Sequence, residues 1–60
     1  MSEKPKRQVV YVDIKRSEKK EVEWRMKKAG YRKVADNHFF MRFDKTVAGM
    51  IYSTCCEYDD

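Results

Sequence analysis

Hydrophobic and polar positions divide the chain into short alternating blocks. Val9-Val10-Tyr11-Val12-Asp13-Ile14 is β-branched and aromatic and predicts a strand. Val10, Val12 and Ile14 would share one face of it, and Val9, Tyr11 and Asp13 the other. Ser17 to Ala29 predicts a helix. Ser17 is a suitable N-cap and Glu18 suits the positive helix start, while Lys20 at the position of a capping-box acid leaves that box incomplete. Gly30 follows Lys27 and Lys28 where a left-handed residue ends a helix, with Tyr31 behind it as the apolar contact. Tyr31 to Ala35 predicts a second strand, Asp36-Asn37 a two-residue turn, and His38 to Phe43 a third strand.

With the turn at Asp36-Asn37, Val34 faces Phe39 and Arg32 faces Met41 across the pair. Val34, Phe39, Met41 and Phe43 then form the core face. Tyr31, His38 and Phe40 fall on the opposite face with Lys33 and Arg42. Asp44-Lys45-Thr46 is expected to turn the chain. Val47 to Thr54 fits a strand or a helix, and Val47, Ile51, Tyr52 and Thr54 favour the strand. The expected organisation is a flexible basic arm over 1–8, one domain over 9–54 and an acidic tail over 55–60. The β-α-β-β(-β) order predicts an α+β fold. One helix packs on a mostly antiparallel sheet of three or four strands, with a right-handed crossover if the first strand is rejoined in parallel.

Length changes what this pattern implies. A chain of 60 residues buries only about 60% of the surface its unfolded form exposes. It therefore folds marginally alone or gains stability from a second copy or another partner. Charged residues make up 40% of the chain, but an aromatic share of 13% argues against disorder. No apolar run approaches the length of a transmembrane helix, and the charged N-terminus is followed by no signal-type apolar core. No membrane partner is expected.

The net charge of +4 hides an asymmetry. Residues 1–33 hold 12 basic and 5 acidic side chains, and residues 34–60 hold 2 and 5. One end of the molecule thus attracts polyanions. Cys55 and Cys56 are the only cysteines, and their adjacency rules out a disulfide framework or a CxxC zinc site. Free thiols fit a reducing compartment, so a cytoplasmic location is expected.

Within the helix, Val22, Met26 and Ala29 fall within about 60° of one another and form the core stripe. Trp24 projects to the far side, among Lys20, Glu21, Lys27 and Lys28. An exposed Trp is the residue type most enriched at binding hot spots. Tyr31, Phe40 and Arg42 on the second sheet face offer further anchors, and exposed aromatics there point to a homodimer or an obligate protein partner.

Two readings follow. The first is a non-enzymatic protein-interaction, regulatory or inhibitor factor using Trp24, Lys20, Lys27, Lys28, Tyr31, Phe40 and Arg42. The small, charged single domain also fits accessory factors such as those of phages and other mobile elements. The second is a nucleic-acid-binding protein. It would set Lys4, Lys6, Arg7, Lys20, Lys27 and Lys28 on phosphates while Trp24 or Phe40 stacks. Glu21 and Glu23 interrupt the basic helix face and favour the first.

Catalysis has no support in the residue pattern. A thiol–imidazole pair of His38 with Cys55 or Cys56 lacks a third orienting group. His38, Cys55 and Cys56 supply too few ligands for a tight zinc site, and no glycine-rich phosphate loop is present. No metal, cofactor or small-molecule substrate is expected.

Overall fold

A computed structural model describes residues 6–60. Strand β1 (Lys6–Ile14) leads through a 3-10 turn (Arg16–Glu18) into helix α1 (Lys19–Lys28). Strands β2 (Arg32–Asp36), β3 (Phe40–Val47) and β4 (Met50–Tyr58) follow. The sheet order is β1-β4-β3-β2. β1 runs parallel to β4, and β4, β3 and β2 are antiparallel neighbours. The molecule is thus an α+β domain with one helix against a four-stranded mixed sheet.

The arm expected over 1–8 is only in part within the described residues. Lys4 lies outside them, and Lys6 and Arg7 belong to β1. The helix starts later than Ser17, which sits inside the 3-10 turn. Glu18 reaches back to cap the 3-10 turn, as the Lys15 N–H donates to its Oε1 at 3.0 Å, and α1 itself starts without a side-chain cap bond. The helix exit matches expectation. The Gly30 N–H reaches the Lys27 carbonyl at 3.0 Å, and the Tyr31 N–H reaches that of Met26 at 2.9 Å. With Gly30 at φ +93°, this is a Schellman ending. Lys45 reinforces it from β3, donating from Nζ to the Ala29 carbonyl at 2.7 Å. A cation there meets the negative end of the helix dipole.

The turns lie elsewhere than expected. The Asn37 N–H bonds to the Phe40 carbonyl at 3.0 Å, so the β2–β3 loop is His38-Phe39. Asn37 Oδ1 accepts from the N–H groups of Phe39 and Phe40 at 2.8 and 3.0 Å. One side-chain oxygen that satisfies two loop donors fixes the turn two residues later than Asp36-Asn37. Phe39 is therefore 72% exposed in the loop rather than in the core, and His38 is beside it. Val34 is left at a bulge between Lys33 and Ala35, also exposed. Asp44-Lys45-Thr46 continues β3, and the chain reverses at Ala48-Gly49 with φ +50° and +79°. Two successive left-handed residues suit a tight hairpin, although Ala48 adopts this conformation at a cost that glycine avoids. β4 then runs through Cys55 to Tyr58, the stretch read as tail. The Asp59 N–H donates to the Ile14 carbonyl at 2.7 Å.

The core lies between α1 and the sheet. Ile14, Met41, Phe43 and Cys56 are buried, and Val22, Met26, Tyr31 and Tyr58 pack around them. Ala29 caps the helix end in an exposed position rather than joining the stripe. Tyr31 and Lys33 lie on the helix side of the sheet, not the opposite one. Tyr31 packs on the core, and Lys33 Nζ bonds Glu23 of α1 at 3.1 Å.

Lys33 also bonds Asp36 at 3.1 Å, and Lys19 pairs with Asp36 at 3.3 Å. The Lys33 hydrogen bond, helped by Lys19, holds the Asp36 carboxyl below its ordinary 3.8. The bonds to Asp36, with Glu23 adding to Lys33, hold both lysines above 10.5. A carboxyl lowered by folding contributes its stability fully above its unfolded pKa and loses it as pH falls through the folded one. The raised lysines contribute fully below 10.5 and lose their share as pH rises through their folded values. The urea midpoint is therefore expected to be flat near neutrality and to drop at both extremes. Asp36→Asn should flatten the acid limb in particular. An unchanged acid limb in that variant would place the sensitivity on another carboxylate.

Candidate functional site

The helix covers part of one face of the sheet, where Val10, Val12 and Val47 stay exposed beyond it, and no helix of the described residues lies across the other face. Register fixes which side chains stand on that open face. β1 contributes Arg7, Val9, Tyr11 and Asp13, and β4 contributes their partners Ile51, Ser53, Cys55 and Glu57. β3 adds Phe40, Arg42, Asp44 and Thr46, and Arg32 and Ala35 of β2 complete the face. At its centre Val9, Tyr11, Phe40, Arg42 and Cys55 line a shallow depression of ≈ 250 Å³. That is smaller than an ordinary small-molecule pocket.

The charges on this face cancel. Arg7, Arg32 and Arg42 stand against Asp13, Asp44 and Glu57. Arg42 Nε lies 3.7 Å from Asp44 Oδ1, too far for a hydrogen bond, and neither atom has a hydrogen-bond partner among the described residues. Tyr11 is 69% exposed, which leaves its ring free to contact another surface.

Phe40 and Arg42 are brought together here, as the sequence indicates. Tyr31 is not. It lies under the helix exit, with Lys45 Nζ 5.5 Å from its ring centre. Val9, Ile51, Ser53, Asp44 and Cys55 are additional members. The period-two series Ile51-Ser53-Cys55-Glu57 could have revealed the last strand's share, and the acidic ending concealed it.

The helix residues form a separate surface on the opposite side of the molecule. Trp24 is 60% exposed, with Lys28 Nζ over its ring at 4.7 Å. Glu21 is neutralised by Arg25 at 2.9 Å, and Glu23 turns toward Lys33. Lys20, Lys27 and Lys28 make no ion pair among the described residues. The basic helix surface is therefore cleaner than the sequence suggests. Lys6 and Arg7 are on β1, away from it.

The chemistry-bearing residues are dispersed. His38 sits in the β2–β3 loop beside Arg16, whose Nη1 donates to the His38 carbonyl at 3.3 Å. Cys55 is on the open face and Cys56 in the core. Burial raises both thiols above the usual 9.0, with Glu57 adding to the effect at Cys55 and Cys55 at Cys56. Raised thiols hold little of the nucleophilic thiolate. Among the described residues no group of three or more His, Cys, Asp or Glu side chains is placed to hold a metal ion. Nor is any helix long and apolar enough to cross a membrane. Comparison with known proteins finds no matching family model, no significantly similar curated protein and no significantly similar solved structure.

Proposed function

We propose that this chain is a non-enzymatic protein-binding module whose open sheet face docks on a protein partner. The observation that carries this reading is the composition of that face. It is apolar and aromatic at its centre, and its three arginines are matched by three carboxylates. A polyanion-binding sheet would carry a surplus of cations. Depletion of net charge around aromatic anchors is the mark of a protein interface. A regulatory or inhibitory factor is the class of protein such a module serves.

Affinity capture with the full chain, compared across variants, tests it. Phe40→Ser should weaken recovery of the bound protein by about tenfold or more, the scale of a hot-spot loss. Recovery should survive moderate salt and nuclease treatment, and Trp24→Ala should leave it in place. Capture that tracks Trp24 rather than Phe40, or that nuclease abolishes, would overturn the reading.

The helix surface supports a second reading. Neutralisation of Glu21 and Glu23 leaves Lys20, Lys27 and Lys28 around Trp24, an arrangement that suits phosphates beside a stacked base. Trp24 fluorescence is the probe, with single-stranded DNA, duplex DNA and RNA as ligands. Quenching that fades steeply with salt would favour this reading, through counterion release. No quenching at low salt would remove it.

A further inference from the structure

The two sheet edges are built differently. β2 is short, bulged at Val34 and charged at Arg32, Lys33 and Asp36, all devices that blunt an edge against pairing. β1 has none of these over most of its length. It is nine residues long, and every residue but Ile14 is exposed. Val9, Val10, Tyr11 and Val12 form a continuous run of exposed large hydrophobics along it. An edge of this kind is a template for another strand.

Its outward groups can be identified. The Ile14 carbonyl accepts from Asp59, beyond the end of β4, so the even-numbered residues of β1 direct their backbone toward β4. Directions alternate along a strand, which leaves the N–H and C=O groups of Arg7, Val9, Tyr11 and Asp13 on the free edge.

The charges specify the occupant. Asp13 and Glu57 are register partners on one face, two carboxylates side by side, and neither has a cation partner among the described residues. Arg7, at the other end of the same face, has no acid partner there either. We propose that a second copy of this chain pairs antiparallel along the free edge of β1, with Val10 on the two-fold axis. In that register Arg7 of each copy meets Asp13 of the other, beside Glu57, and Val9 meets Tyr11. All nine strand residues find a partner, and every outward backbone donor meets an acceptor. Moving the axis to Val9 or Tyr11 keeps the faces aligned but loses both charge pairs. The contact is isologous and closes, and the blunted β2 edges stop the joined sheet from growing further. The two open faces become one continuous surface.

Sedimentation velocity on the full chain over a wide concentration range tests this. A particle of twice 7.3 kDa is expected, together with a melting temperature that rises with concentration. Arg7→Asp and Asp13→Arg should each raise the dimer dissociation constant about tenfold or more, since each creates two like-charge contacts. The double variant restores both pairs and should return the constant to near its original value. Should the single variants lose their fold, recovery of fold and dimer in the double variant carries the same weight. Phe40→Ser should leave the dimer intact. A chain that is monomeric throughout, a dimer indifferent to both single reversals, or a dimer abolished by Phe40→Ser would overturn the proposal.

Discussion

Phe43→Ala is expected to cost about 3–5 kcal/mol of folding stability, whereas Phe39→Ala changes it by no more than about 0.5 kcal/mol. Phe43 is fully buried with Met41, Ile14 and Cys56, and it is the largest of the fully buried side chains. Removing a buried Phe side chain costs about 3–5 kcal/mol through lost transfer energy and the cavity left behind. A domain of this length has roughly 3–9 kcal/mol in total. Few buried neighbours are available to collapse into the space. Phe39, four residues earlier, is 72% exposed at the tip of the β2–β3 loop and falls in the class of neutral surface changes. Far-UV circular dichroism and urea titration of both variants measure the contrast. Comparable losses from the two would return Phe39 to the core and the turn to Asp36-Asn37.

The adjacent thiols should differ in alkylation rate by orders of magnitude. Successive strand residues point to opposite faces, so Cys55 is on the open side and Cys56, 2% exposed, is in the core. Cys55 is partly shielded and its thiol is raised, so it should react more slowly than a free thiol yet still in the native state. Cys56 reacts only when its strand opens. If that opening is global, about 3–9 kcal/mol of stability corresponds to roughly two to six decades of protection. Mass spectrometry over time, with Cys55→Ser isolating the inner thiol, reads the difference, and urea should erase it. Equal native rates at the two positions would mean that β4 does not hold this register.

Local chemistry made some elements legible and not others. The helix exit at Gly30 and the facial division of β1 were readable because each depends on neighbours in sequence. Met41 and Phe43 were readable as core because alternation survives a shift of the turn by an even number of positions in register. The turn itself was not. Asp36 and Asn37 both tolerate turns, and the choice rests on which loop donors one Asn37 oxygen can reach. Ala48 gives no hint that it adopts a left-handed conformation. Lys45 looks like a turn residue until the helix C-terminus is seen to need a cation. Cys55 to Tyr58 looked like a tail because its acidity hides its alternation. The open face was half legible, through Phe40 and Arg42. Its other half depends on β1 lying beside β4, a pairing that nothing local specifies.

That pairing orders events during synthesis. β1 leaves the ribosome before the other described strands, and β4, its neighbour in the sheet, emerges last of them. The β3–β4 hairpin assembles from contacts close in sequence, while β1 must wait for a partner more than forty residues downstream. For seconds on each nascent chain, Val9 to Val12 are without a partner strand and available to whatever is near. Both edges of β1 are thus unfilled until β4 appears, and the rate at which Tyr58 appears sets how long that lasts.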